Sequence, residues 1–191
     1  MTGSRLAFRG LVLAAVVTVA ACGVPTDGQA RPIATEPGTD TTSSPVTGAS
    51  SGRQVILYFV GPDGLEKVTR RVESDPDPTA TAIRTLLAGL TDAEKEKELL
   101  SSIPPDTRLL ATPTKVDEVL TVDLSSELNG ITGDSLKAAY AQIVWTAAAP
   151  TNANQVRFLI EGKPIAVPTD SENKDVVGRN DYDTLRPRNE P

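Results

Sequence analysis

The sequence predicts an α+β fold: a single mixed or antiparallel sheet of about six strands in ββαββαββ order, with two main helices packed on one face. Three observations predict it. Residues 55–60 are apolar on both alternating faces, which is typical of a buried strand. Apolar residues recur at helical spacing in two later segments, 83–90 and 136–147. Strand-like pairs of segments lie before, between and after those helices, so strands and helices interleave along the chain.

The first half of this domain begins with a predicted hairpin. Residues 61–64, Gly-Pro-Asp-Gly, form a turn, and residues 65–73 form a partner strand with one solvated side. Asp77 then precedes Pro78, and this pairing predicts a capped helix start because proline lacks the amide that would remain unpaired. Four residues give that helix one apolar face: Ile83, Leu86, Leu87 and Leu90.

The second half of the domain is again predicted to alternate helices with pairs of strands. Thr91 and Glu94 match a capping box, so a short helix is predicted to run to Leu100. Residues 109–116 and 119–124 predict a second hairpin that turns at residues 117–118. The longest helix is capped by Thr132 or Asp134, carries an apolar stripe between Leu136 and Ala147, and stops at Pro150. Further strands are predicted at 156–160 and 165–167, joined by the turn 161–163.

The N-terminus carries an export signal. Arg5 and Arg9 precede an apolar run of about ten residues, which is too short to span a membrane as a helix. Residues 19–22, Val-Ala-Ala-Cys, match a lipobox, so cleavage between Ala21 and Cys22 and lipid attachment at Cys22 are predicted. The mature chain would then be held in the membrane by an N-terminal diacylglyceryl cysteine. The alternative is a soluble secreted protein with a free thiol.

These features divide the chain into four parts. Residues 1–21 are the predicted lipoprotein signal peptide. Residues 22–52 are a disordered Pro/Thr/Ser/Gly tether, because they contain too few bulky apolar residues to offset their ordering entropy. Residues 53–168 form the folded domain. Residues 169–191 are polar and are predicted to be a flexible tail.

Composition excludes several classes of function. The net charge of −6 argues against nucleic-acid binding, which needs concentrated Lys and Arg, and against direct adhesion to an anionic bilayer. The chain has no histidine, and its one cysteine is assigned to the lipid, so histidine-based triads and histidine or cysteine metal sites are excluded. No metal, no cofactor and no catalytic residue is predicted. The protein is therefore not expected to be an enzyme.

The remaining acidic pairs have a functional and a structural interpretation. The functional interpretation of Asp123 and Glu127, at the end of a strand, is the carboxylate pair of a glycosidase. The favoured interpretation is that Asp123 lies on the wet side of the strand and Glu127 in a loop. Asp75 and Asp77 are similarly interpreted as turn and cap residues, since the glycine-containing loop of a calcium site is missing. Ser171 and Lys174 have Ser-x-x-Lys spacing but lie in the predicted tail.

Three residues are candidates for binding a partner. Trp145 lies off the apolar stripe of the longest helix, so it either packs at a sheet edge or is an exposed anchor for a partner. Arg70 and Arg71 lie on the solvated side of the first hairpin. They are interpreted as solvated side chains, with binding of an acidic glycan or a partner carboxylate as the alternative.

The order of these motifs resembles the GerMN domain, the sporulation and spore-germination module of bacterial envelope proteins, in lipoproteins of actinobacterial type. The resemblance covers residues 53–168 and is carried by segments 55–60, 63–64, 86–91, 102–107, 120–125, 142–146 and 156–163. It implies a non-enzymatic module of extracytoplasmic proteins that are often lipid-anchored. It also implies likeness to ring-building folds of envelope assemblies.

Together these observations predict a lipid-anchored protein on the extracytoplasmic face of the cell membrane. Its domain is expected to bind an envelope protein partner or to assemble with copies of itself. The alternative is a lipoprotein that binds a small ligand or a cell-wall glycan, which would need a concave pocket. A hydrolase using carboxylates is the third hypothesis.

Overall fold

The computed structural model describes residues 52–188. The predicted signal peptide, Cys22 and nearly all of the predicted tether lie outside the described residues. The strands are β1 (Gly52–Gly61), β2 (Gly64–Glu73), β3 (Thr114–Val116), β4 (Val119–Leu124), β5 (Gln155–Ile160), β6 (Lys163–Ile165), β7 (Val167–Pro168) and β8 (Asn173–Lys174). The helices are α1 (Pro78–Leu87), α2 (Asp92–Lys95) and α3 (Gly133–Thr151), with 3-10 helices at Ser126–Gly130 and Arg179–Leu185. The predicted α+β class is confirmed.

β1 and β2 form the predicted first hairpin. They pair antiparallel from Gly52 opposite Glu73 to Gly61 opposite Gly64. The tight turn therefore lies at residues 61–64, as predicted. Gly64 has φ of 134°, and a Cβ there would lie 3.2 Å from the carbonyl oxygens of Leu185 and Arg186. Glycine is thus required both by the turn and by the close approach of the backbone at residues 185–186.

α1 begins at the cap that the sequence predicts. Asp77 Oδ1 accepts hydrogen bonds from the backbone amides of Thr79 and Ala80, at 2.9 and 2.8 Å. These bonds satisfy two amides that have no partner inside the helix. The capping box of α2 is also present, since the Thr91 amide donates to Glu94 Oε2 at 2.8 Å. α2 is shorter than predicted and ends at Lys95.

β3, β4, β5 and β6 form a four-stranded sheet in that order. β4 and β5 run parallel and are joined by α3, while the two outer pairs are antiparallel. Side chains alternate along β4 and β5 between a buried inner face and a more exposed outer face. The inner face is apolar and packs against α3, where the Tyr140 and Phe158 rings meet edge to face with centroids 4.8 Å apart.

The prediction of a single sheet of about six strands is wrong. The β1–β2 hairpin forms a sheet of its own, and β7 and β8 form a third. The free edge of β1 is closed by α3 instead of by a neighbouring strand: the Tyr58 amide donates to Thr146 Oγ1, and Gln142 Nε2 donates to the Tyr58 carbonyl. Val60 pairs with Leu100 further along the same edge. Polar side chains of α3 thus take the place of a strand.

α3 is the central element of the domain. Every residue from Ala138 to Ala148 is buried. Several elements cover this helix, namely β1, α1, β5, β7 and the 3-10 helix Arg179–Leu185. The sequence predicts a helix with one apolar face, but a helix covered on several sides needs no polar face. Pro150 lies inside the last turn, and the helix ends one residue later, before Asn152, which has φ of 48°.

The prediction of a flexible tail after residue 168 is also wrong for the part of it that the structure describes. Val177 pairs with Val156 of β5 through two backbone hydrogen bonds, of 2.7 and 2.9 Å. Tyr182 is fully buried, as is Val177. Residues 167–188, here called the C-terminal segment, therefore run from the four-stranded sheet past α3 to the turn of the first hairpin.

Candidate interaction site

Arg70 is engaged within the domain, contrary to its interpretation as a solvated side chain and to the alternative that it binds an acidic glycan or a partner carboxylate. Its Nε donates to Glu94 Oε1 at 2.8 Å, and one of its Nη atoms forms an ion pair with Glu94 Oε2. The same Nη donates to the Gly89 carbonyl at 2.7 Å, and the guanidinium lies over the Phe59 ring. Hydrogen bonds from Arg70 hold the pKa of Glu94 below its ordinary value. The ion pair joins β2 to α2, and the bond to Gly89 joins β2 to the α1–α2 connection.

Trp145 is buried, with 1% of its surface exposed, so its alternative role as an exposed anchor is wrong. Its ring packs against Tyr58 on one side, with centroids 5.4 Å apart. The Arg179 guanidinium lies 4.8 Å from the indole centroid. The flank of α3 that carries Trp145 is covered by the C-terminal segment, and the sequence does not reveal this cover. Arg71, in contrast, is exposed and remains a partner-binding residue by prediction.

Asp123 has a structural role at the end of β4. Its Oδ1 accepts a hydrogen bond from the Gly162 amide at 3.0 Å, which braces the β5–β6 turn. Glu127 lies at the following 3-10 helix, where a hydrogen bond from Ser125 lowers the pKa of its carboxyl. Asp75 accepts from the Asp77 amide at 2.8 Å. Each of these carboxylates thus forms a contact that holds local backbone or a loop in place.

The free edge of the four-stranded sheet carries exposed apolar side chains. β3 is the terminal strand, and within residues 52–188 no other strand pairs with its outer edge. Val116 of β3 is 66% exposed, and Leu110, whose amide donates to the Asp123 carbonyl, is 46% exposed. Neither residue was predicted from the sequence. The adjacent pair Leu109-Leu110 was a usable signal, because neighbouring strand residues point to opposite sides.

The outer face of this sheet continues from that edge. Val116 lies opposite Val119, and Thr114 lies opposite Thr121. Thr121 is in turn opposite Arg157 of β5. These five residues, with Leu110 at the edge, are called the outer-face patch. It is formed largely by apolar and hydroxyl side chains, and its charged neighbours on this face are Arg157 and Asp123.

The described residues contain no cluster of three or more His, Cys, Asp or Glu side chains arranged to hold a metal ion. In residues 52–188 no helix is long and apolar enough to cross a membrane. Cys22 and Ala21, the predicted lipidation and cleavage residues, lie outside the described part of the chain.

A family model described as sporulation and spore germination, named Germane, matches residues 56–166. This match spans more than half of the chain. The chain belongs to this family. The Germane match begins in β1 and ends after β6, so it contains most of β1, all of β2 to β6, and α1 and α3. The whole C-terminal segment lies beyond it.

Solved structures share the fold of this Germane domain. The first GerMN domain of the sporulation protein GerM from Bacillus subtilis is similar with a TM-score of 0.53 and 18% identity, over 67% of this chain and 98% of that one. The tandem GerMN domains of the same protein give a TM-score of 0.50 and 20% identity, over 66% of this chain. The chain spans about half of the tandem structure, 48% of its length. No curated protein sequence matches the chain.

Proposed function

We propose that this protein is a lipid-anchored protein of the extracytoplasmic face of the cell membrane, and that its Germane domain acts as a non-catalytic protein-interaction or assembly module. The outer-face patch carries this proposal. Exposed apolar side chains on an open sheet face are typical of protein-binding surfaces. The predicted lipobox at Cys22 and the predicted tether would present this surface above the membrane.

The chemistry of the patch favours a protein as the partner. Val116 and Leu110 expose apolar area at the sheet edge, and burial of such area is what drives most protein association. Arg157 adds a charged donor beside Thr121, so a partner with a carboxylate at that point would gain a hydrogen bond. β3 is only three residues long and contains Lys115, features that protect an edge from uncontrolled strand pairing. Binding through side chains is therefore favoured over addition of a strand.

The engagement of the candidate acidic groups supports a non-catalytic role. Glu94 is paired with Arg70, Asp77 caps α1 and Asp123 braces a turn. A general acid or base needs a free position beside the reacting group of a substrate. Glu94 has both carboxylate oxygens in hydrogen bonds, and Asp77 and Asp123 each use Oδ1 to hold backbone amides, so all three have a structural role.

Replacement of Cys22 by Ala tests the anchor. We expect the Cys22→Ala variant to leave the membrane fraction and appear in the soluble extracytoplasmic fraction, because the lipid attachment atom is removed. Fractionation followed by immunoblotting measures this distribution. A Ser43→Ala variant in the same N-terminal region is the control and should stay with the membrane. Continued membrane association of Cys22→Ala would contradict lipid anchoring.

Crosslinking in intact cells tests the interaction role. We expect a defined protein, or a second copy of this chain, to be captured by the wild type and identified by mass spectrometry. Capture should weaken strongly in a Val116→Lys, Leu110→Lys double variant that retains its thermal unfolding temperature. Recovery of no protein together with specific retention of a wall fragment would contradict the proposal and favour glycan binding.

A further inference from the structure

A cavity of about 510 Å³ lies where the end of α3 meets the C-terminal segment. One wall is formed by the last turn of α3 and the loop that leads into β5. The opposite wall is formed by the C-terminal segment, which lies beyond the Germane match. The polar side chains in its lining are Asn152, Asn154, Gln155, Arg179, Asn180 and Asp181. The cavity is thus rich in amide groups, and both of its charged residues lie outside the family match.

The two charged side chains of this lining differ in whether an opposite charge pairs with them. Asp181 is neutralised, because Lys174 donates to its Oδ1 and the Gly178 amide donates to its Oδ2, both at 2.7 Å. Arg179 forms no ion pair with any carboxylate of residues 52–188. Its Nε is buried without a hydrogen-bond partner, and one Nη makes a single long bond of 3.4 Å to the Trp145 carbonyl. The cavity therefore holds one cation whose charge no side chain balances.

Packing alone explains only part of the position of Arg179. Stacking on Trp145 and proximity to the carbonyl end of α3 both favour a guanidinium at this place. A guanidinium has five N–H donors, however, and here only one of them has a partner, at a long distance. An acceptor supplied by a ligand would give a partner to the donors that remain on the Nη atoms.

We propose that this cavity binds a carboxylate, held by the fork of the Arg179 guanidinium. Two parallel N–H···O bonds from a guanidinium match the planar geometry of a carboxylate. The side chains of Asn152, Asn154 and Gln155 would bind the amide or hydroxyl groups next to it. Such a carboxylate can come from the end of a peptide or from an acidic sugar. This site goes beyond the proposed protein-interaction role and does not depend on it.

Trp145 provides the measurement, because it is the only tryptophan in the chain and lies against Arg179. The full-length chain, purified in detergent, is titrated with N-acetyl-alanyl-alanine, with the C-terminal amide of the same peptide, with glucuronate and with glucose. We expect saturable changes in fluorescence and in calorimetric heat with the peptide acid, with glucuronate or with both. The amide and glucose should give neither. Which acid binds distinguishes the peptide from the sugar source.

Variants at Arg179 assign the binding to this site. Arg179→Gln should weaken carboxylate binding at least about tenfold, since it removes a charge-assisted fork. Arg179→Lys keeps the charge and carries the test if the glutamine variant unfolds; it should also bind more weakly because it lacks the fork. Arg84→Gln, exposed on α1 and absent from the cavity lining, is the matched control and should bind as the wild type does.

Three outcomes would overturn the carboxylate site. They are absence of saturable binding by both acids, equal binding of the peptide acid and its amide, and unchanged affinity in a folded Arg179 variant. None of these outcomes bears on membrane anchoring or partner capture, so the site and the proposed function fail or survive separately.

Discussion

Replacement of Arg70 by Ala is expected to destabilise the domain by about 3–5 kcal/mol, because it leaves the Glu94 carboxylate buried without its cation. The Glu94 side chain is 9% exposed and that of Arg70 is 15% exposed, so water cannot replace the lost partner well. The carbonyl of Gly89 loses its donor in the same variant. Urea unfolding of the wild type and the variant measures the difference.

Arg71→Ala is the matched control for this prediction. Arg71 is the next residue along β2 and is exposed, so its replacement should change stability by less than about 0.5 kcal/mol. An Arg70→Ala variant as stable as Arg71→Ala would contradict the role assigned to the pair. Such a result would show that Arg70 behaves as a solvated surface side chain.

The effect of Arg70→Ala should also depend on pH. The Arg70 hydrogen bonds lower the pKa of Glu94, so the pair contributes stability above the ordinary pKa of 4.5, and this contribution is lost as the pH falls. In the variant, a protonated Glu94 no longer needs a cation. The difference in stability between wild type and variant should therefore be largest near neutral pH and should narrow below pH 4.5.

Tyr182 is the second position where a large effect is expected. Tyr182→Ala should destabilise the domain by about 3–5 kcal/mol, because it empties a fully buried aromatic site between the C-terminal segment and the rest of the domain. Tyr182→Phe should be neutral or stabilising, since the phenolic oxygen is buried without a hydrogen-bond partner. Thermal and urea unfolding of both variants measure these opposite effects.

The C-terminal segment also offers a control for the Tyr182 variants. Arg188→Ala removes only an exposed ion pair with Asp63 and should change stability by about 0–1 kcal/mol, which makes it the control in the same segment.

Burial raises the pKa of Tyr182 above 10.0, so the stability it contributes is present below pH 10 and is lost as the pH rises. Tyr182→Phe should reduce this alkaline loss. A Tyr182→Ala variant with wild-type stability would mean that the C-terminal segment does not pack on the domain.

Local patterns in the sequence predicted the elements well. The cap at Asp77, the turn at residues 61–64 and the alternation along β4 all depend on neighbours within a few positions of the chain. Such short-range signals come from backbone hydrogen bonding and from the periodicity of helices and strands. They are visible in a single sequence, and the α+β class follows from their order.

Contacts between distant residues were not predictable in this way. Arg70 and Glu94 are 24 positions apart, and each has the polarity of an ordinary surface residue. The edge of β1 is closed by Gln142 and Thr146, whose side chains mimic a strand only once α3 is in place. The division into separate sheets is a consequence of that contact.

The structure of the C-terminal segment was also not predictable from local sequence patterns. Two of its buried residues are Val177, which has Val176 as its one apolar neighbour, and Tyr182, which lies between Asp181 and Asp183, so no apolar periodicity marks them. The segment acquires its structure from the surface it covers, which is why composition predicts a flexible tail. The cavity beside Arg179 was not predictable for the same reason, since one of its walls is this segment.

Site-specific photo-crosslinking from Val116 in intact cells tests the interaction role most directly. A photoreactive residue at Val116, in the outer-face patch, is compared with the same residue at Arg84, an exposed position of α1. We predict a discrete crosslinked protein band from Val116 that is absent from Arg84 and is reduced when Cys22→Ala is added. Bands of equal yield from both positions, or none from Val116, would contradict the claim that this face of the Germane domain binds a partner.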